Sequence, residues 1–418
     1  MDPTNLPTRS TPHWDLYRRD MFMLAAEQKH PLFSTDPDEL ERLAKQKLSE
    51  GGWLYASSNA GNSFTHRANR EAFYRQRIVP RMLVDTNARD TTTELFGHKI
   101  SAPICFAPVG INKIYHPLGE LNSAKVAGEL GLPYCLSTAS SQSIEDVAEA
   151  NGANAVRFFQ LYSPPDEELM ESILRRAVDN GFTACIWTLD TWQLGWRHGD
   201  VAASNYAFYK GIGAELGWSD PVFQKRMQER GWSKEKNPVE TGQLWIDQVW
   251  HGKAFSWNDL PRVMKKWKTI SGDKPFLLKG IQSVADAKKA VELGVDGIVC
   301  SNHAGRQVDG AVGSLDVLPE IVDAVGDKTT ILFDSGIRGG ADVFKALALG
   351  AKAVLVGRLW IYGMGIAGEE GVRHVMKSLL ADFDILMGVG GFNSISEINR
   401  SALKYIPYGS SGDHNGGM

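Results

Sequence analysis

The chain has few cysteines, no long apolar run and no excess of one charge. Cys105, Cys135, Cys185 and Cys300 are its only cysteines, each in or beside an apolar run and without metal-ligand spacing. They read as buried thiols in a reducing compartment, and neither a disulfide framework nor a metal site is expected. No apolar stretch is long enough to cross a bilayer, and the start MDPTNLPTRSTPHWD is too polar for a secretory signal. Stable membrane insertion is therefore not expected, and a cytoplasmic location is. The 45 basic and 49 acidic side chains leave a formal charge of -4, which argues against a nucleic-acid surface.

What is present is a large apolar fraction with a regular arrangement. Hydrophobic residues make up 43 %, enough for a substantial core and too much for a disordered chain. From about residue 100, short apolar runs alternate with helical patterns: APICFAP (102–108), PYCLST (133–138), AVRFFQL (155–161), ACIWTLD (184–190), PFLLKG (275–280), GIVCSN (297–302), TILFDSG (330–336) and AVLVGR (353–358). Eight such runs predict an α/β fold, a closed parallel TIM (β/α)8 barrel. Ser143 and Gly152 bracket one intervening helix as cap and stop. The whole chain reads as one domain, with a barrel core at about 100–375 and a helical lead-in before it that is placed at the bottom or edge. More than 80 residues separate the fourth and fifth runs, so an insertion at about 198–274 is expected, as a lid or assembly surface. The tail at about 408–418, rich in Gly and Ser, reads as flexible.

Polar residues gather where the runs end, which is where barrel chemistry collects. Ser137, Gln160, Tyr162, Thr188, Asp190, Lys279, His303, Arg306, Asp334, Gly357 and Arg358 follow successive runs. A lone histidine is usually structural, but His303 lies just past GIVC with Arg306 close behind. A neutral imidazole can take a proton near neutral pH, and a carboxylate can orient it. Asp190 and Asp309 are both candidates for that carboxylate. SGIRGGADVF and the GR after the eighth run offer backbone N–H groups, Arg338 and Arg358 to a phosphate; either alone reads as a tight turn. Lys279, at the end of a buried run, needs an anion, either a reduced cofactor or a barrel carboxylate.

The run SNHAGRQVD, with APVG (107–110), QLY (160–162), TLDTWQLGWR (188–197), LKGIQ (278–282) and DSGIRGGADVFKALALGA (334–351), resembles the FMN-dependent 2-hydroxy-acid oxidase and dehydrogenase family over roughly residues 36–400. The resemblance implies His303 as base, with Arg306 and Arg197 binding the substrate carboxylate and Tyr55 and Tyr162 flanking it. It implies FMN as cofactor, contacted by Ala107, Pro108, Val109, Ser137, Gln160, Thr188, Lys279 and Ser301. Asp334, Gly336, Arg338, Gly357 and Arg358 would hold its ribityl and phosphate part.

The long connection, with SDPVFQK (219–225) and WHG before FSWNDL, resembles the lactate 2-monooxygenase branch of that family. It implies oxidation of L-lactate or a similar small L-2-hydroxy acid with molecular oxygen, ending in acetate, CO2 and water. An oxidase releasing the 2-oxo acid and H2O2, or a dehydrogenase using another acceptor, is the alternative. Ala139 departs from the pattern: glycolate-oxidase relatives carry tryptophan there and the monooxygenase leucine, so the substrate pocket is expected to differ in size. A homotetramer or larger homo-oligomer is implied as well.

Overall fold

The structure, a computed structural model, describes residues 9–407; the tail expected to be flexible at 408–418 lies outside them. The eight runs form β1 (Ile104–Phe106), β2 (Tyr134–Ser137), β3 (Arg157–Leu161), β4 (Cys185–Thr188), β5 (Phe276–Ile281), β6 (Gly297–Cys300), β7 (Thr330–Phe333) and β8 (Ala353–Val356). Each is parallel to its neighbours, and β8 pairs back onto β1 with Val354 opposite Ile104. The sheet closes into the expected (β/α)8 barrel.

Side-chain alternation then decides what the barrel holds. Cys105, Cys135, Phe158, Ile186, Leu277, Val299, Leu332 and Leu355 form a buried cluster inside it. Two residues further along each chain, the period-two rule brings Ala107, Ser137, Gln160, Thr188, Lys279, Ser301, Asp334 and Gly357 to the same face. The interior is thus apolar below and mainly polar at the carboxyl ends of the strands. The bottom is closed by a hairpin (Thr93–Leu95 with His98–Ile100), whose Leu95 and Ile100 join the interior cluster.

The surrounding helices start where the sequence marks them. Ser143 Oγ accepts from the Asp146 N–H at 3.0 Å, and Gly152 ends that helix with φ 96°. Ser283 caps Val284–Glu292 and Asp166 caps Glu167–Asp179 in the same way. All four cysteines are buried and free.

Two regions differ in detail from the sequence reading. The lead-in does not stay at the bottom or edge. Pro37–Lys47 packs on the C-terminal helical segment Arg358–Gly390, which is broken at Ala367 and Gly368, while Glu50–Ser57 and Phe64–Arg75 reach the loops at the carboxyl ends of the strands. Within the long connection, Leu260–Ser271 packs on Glu167–Asp179 and β5 as the barrel helix of that unit. The segment before it carries four further α-helices and a 3-10 turn around a core of Phe208, Leu216, Phe223 and Trp245. Among the described residues, no helix is long and apolar enough to cross a membrane, and no cluster could hold a metal ion.

Candidate active site

A cleft of about 850 Å³ opens at the carboxyl ends of the strands. Its floor is the polar ring. Ser137 Oγ donates to Gln160 Oε1 at 3.0 Å, and Gln160 Nε2 donates to Thr188 Oγ1 at 3.0 Å. Lys279 Nζ lies 3.1 Å from Ser301 Oγ and 3.5 Å from Asp334. Lys279 therefore has a barrel carboxylate, one of the two partners anticipated for it, and it also faces the cleft.

His303 stands on the loop after β6, in an unusual backbone. His303, Ala304 and Gly305 have φ of 56°, 57° and 76°. Three left-handed residues in succession are costly and persist only where neighbours fix them. Asn302 Oδ1 accepts from the Gly305 N–H at 3.0 Å, and Asn302 and Asn69 exchange side-chain hydrogen bonds at 2.6 and 2.9 Å. Ser335 Oγ accepts from the Ala304 N–H at 2.9 Å. At Gly305, an added Cβ would stand 2.7 Å from the backbone nitrogen of His66, so the close approach itself requires glycine.

This loop places His303 Nδ1 2.7 Å from Asp190 Oδ1, at the end of β4. Thr191 Oγ1 donates to the same carboxylate oxygen at 2.6 Å. Burial pushes the Asp190 carboxyl up, but the charges of His303 and Lys279 and these hydrogen bonds outweigh it, and the group is held well below the ordinary range. Burial lowers the His303 imidazole below its ordinary value, against the pull of Asp190. Asp309, the other carboxylate weighed for this role, accepts instead from the backbone of Asn62 and Thr65 and secures the start of helix Phe64–Arg75.

Cationic groups converge around the imidazole. Arg306 donates to the carbonyls of Tyr55 and Ser58, both at 2.8 Å, and lies over the Tyr55 ring at 4.9 Å. Arg197 is 4 % exposed and donates to the Arg306 carbonyl and to Gln307 Oε1. Burial, reinforced by Arg306, lowers its pKa to about 10. At the other end, Arg358 donates to the carbonyls of Ala56, Ala304 and Ser58 and to Asn59 Oδ1. Burial lowers its pKa to about 10 also. Among the described residues, no carboxylate lies within ion-pair distance of Arg197, Arg306, Arg338 or Arg358. Arg197 and Arg358 are buried and Arg306 and Arg338 partly so, and guanidiniums so placed without carboxylates are suited to anions from outside.

Tyr55, Ala107, Pro108, Val109, Ser137, Tyr162, Lys279, His303, Arg306, Asp334, Gly336, Arg338, Gly357 and Arg358 line the cleft together. Gln160, Ser301 and Asp190 stand behind that lining, bonded to Ser137, Lys279 and His303, and Thr188 stands behind it bonded to Gln160. Arg197 lies beside the cleft, in the wall of a neighbouring one. Sequence reasoning missed Asn69 and Asn302, which hold the His303 turn, and Ser335, Tyr115 and Trp250, which line the cleft. Asn302 and Ser335 lie within the strand-end motifs and Trp250 within the run WHG; Asn69 and Tyr115 reach the site only through tertiary packing.

The chain matches the FMN-dependent dehydrogenase family over residues 44–405. It belongs to that family. It is 45 % identical over 378 residues to an FMN-dependent alpha-hydroxy acid dehydrogenase of Penicillium citrinum, covering 90 % of this chain and 92 % of that one. An L-lactate oxidase of Lysinibacillus sphaericus is 38 % identical over 380 residues, covering 91 % and 94 %. A solved mandelate oxidase superposes with a TM-score of 0.74 at 33 % identity, covering 89 % of this chain and 98 % of that one. The protein is an FMN-dependent 2-hydroxy-acid oxidoreductase.

The residues present fit the family's cofactor. The polar floor offers donors and acceptors to a ring edge. The cleft extends from it to Arg338 and Arg358, where helices Gly340–Ala348 and Arg358–Gly390 start. Those two N-termini and guanidiniums suit a phosphate. Gly357 leaves room there, since an added Cβ would meet nothing nearer than 3.7 Å.

Proposed function

We propose that this protein is an L-2-hydroxy-acid oxidase, releasing a 2-oxo acid and H2O2. The His303–Asp190 pair beside Arg306, set over the polar floor of the cleft, is the observation that carries oxidation of the hydroxy acid. The relatives named as L-lactate oxidase and mandelate oxidase support peroxide release over the oxidative decarboxylation expected from the long connection.

Arg306 and Arg197 grip the substrate carboxylate, and Tyr55 and Tyr162 border the hydroxyl. Burial pushes the Tyr162 hydroxyl far up, so it stays protonated and donates. His303 Nε2 takes the hydroxyl proton as the C2–H bond breaks, and Asp190 stabilises the imidazolium that forms. FMN, when bound, supplies the two-electron acceptor for the hydrogen leaving C2. Lys279 places its charge in the floor, where negative charge develops. Molecular oxygen takes the two electrons and two protons, giving H2O2.

Product analysis tests this. Holoenzyme turning over an L-2-hydroxy acid in air should yield one H2O2 per 2-oxo acid released. CO2 with a carboxylic acid one carbon shorter, and little peroxide, would restore the monooxygenase reading. Slow reoxidation in air with rapid turnover on a dye would point to a dehydrogenase.

A further inference from the structure

A second cleft, of about 970 Å³, adjoins the first, and Tyr55 and Trp250 line both. Its wall is mostly apolar and comes largely from the β4–β5 connection, through Leu194, Val201, Tyr206, Ala207 and Phe208, with Arg197 and Asp200 as its charged groups on the side toward Arg306. Trp250 stands between the two spaces. Its ring meets Tyr162 of the catalytic cleft edge-on at 6.0 Å and Phe208 of the chamber at 4.7 Å. On the catalytic side, Ala139 lines the cleft with a single methyl group.

We propose that this chamber receives the substrate's side chain, and that the preferred substrates are L-2-hydroxy acids with a large apolar or aromatic side chain. The inference rests on the oxidase reading above and deepens it. A substrate whose carboxylate is held at Arg306 and whose hydroxyl faces His303 has its remaining substituent free to leave the catalytic cleft. The methyl of lactate is too short to pass the Tyr55–Trp250 boundary and leaves the chamber to water. A longer chain or a phenyl group covers apolar wall, and each buried methylene is worth roughly a fourfold gain in binding. The reaction is unchanged, so the gain appears in selection among acids.

Anaerobic rapid mixing of the FMN-loaded enzyme with L-lactate, L-3-phenyllactate and L-2-hydroxyoctanoate tests this. The second-order rate constant of flavin reduction is expected to be about 100-fold or more higher for the two bulky acids than for lactate. Ala207→Phe, which puts a ring into the chamber and narrows it, should lower that ratio at least about tenfold. Val201→Trp, at a more exposed position of the same wall, provides the same comparison should the first variant fail to fold. Lactate matching the bulky acids, or a ratio unchanged in the folded variant, would overturn the proposal and leave the chamber as a passage only. Flavin that no 2-hydroxy acid reduces would overturn the oxidase reading itself, and this inference with it.

Discussion

Because ionised Asp190 can only accept, the proton of neutral His303 sits on Nδ1, and Nε2 is left as the free base. Asp190→Asn removes the charge that stabilises the imidazolium and offers a donor to Nδ1, favouring the wrong tautomer. Flavin reduction should slow by about 10²–10⁴-fold, read by anaerobic rapid mixing, while a non-reacting carboxylate analogue still binds. The pH dependence follows from the direction of the His303 shift. Only the neutral imidazole accepts a proton, and burial lowers its pKa, so the neutral form persists to lower pH. The second-order rate constant of reduction should be level near pH 7 and fall on the acid side, with a half-point below 6.5; a half-point above that value would mean that Asp190 outweighs burial. The histidine was legible from SNHAGRQVD, but the choice between Asp190 and Asp309 was not. It depends on β4 and β6 lying on either side of β5 in the closed barrel, a long-range fact that spacing within one loop cannot supply.

At the scale of elements, the loop after β6 is the one under most constraint. Gly305→Ala would force a Cβ against the His66 backbone at a φ of 76°. A loss of about 1–3 kcal/mol in holoenzyme stability is expected from urea unfolding, with a fall in flavin reduction as His303 shifts. Unchanged stability would mean that the helix Phe64–Arg75 yields easily. A comparable tie joins the loops after β1 and β2, where buried Glu120 accepts from Asn112 and from Ser141 N–H and Oγ. The strands and their helices were readable, because apolar runs, caps and glycine stops act locally. The lead-in was not readable to the same degree. Tyr55 was reached through the family resemblance alone, and Asn69 is an ordinary helix residue in sequence that only packing carries to the mouth of the barrel.

For the whole molecule, Arg358 ties the loop after β8 to the lead-in and to the loop after β6 at the candidate cofactor site, through the carbonyls of residues 56, 58 and 304. Binding of FMN to the folded state alone should therefore raise stability by mass action, about 2.7 kcal/mol at a hundredfold excess over Kd. Thermal unfolding of the stripped and reloaded protein checks this, and equal midpoints would mean that the folded chain does not bind FMN in preference to the unfolded one. The fold, and the candidate cofactor site built on it, follow from strand ends repeated around one barrel, which is why the barrel and its polar ends were legible in the chain. The fate of the oxidised product depends on how long it is retained, which no residue pattern encodes. The most direct test of the account is anaerobic mixing of FMN-loaded wild type and His303→Asn with an L-2-hydroxy acid, following the oxidised-flavin absorbance. Rapid bleaching in the wild type and bleaching slowed at least about 100-fold in the variant is the predicted result. Equal rates in the two proteins, or no bleaching of the wild type by any such acid, would contradict it.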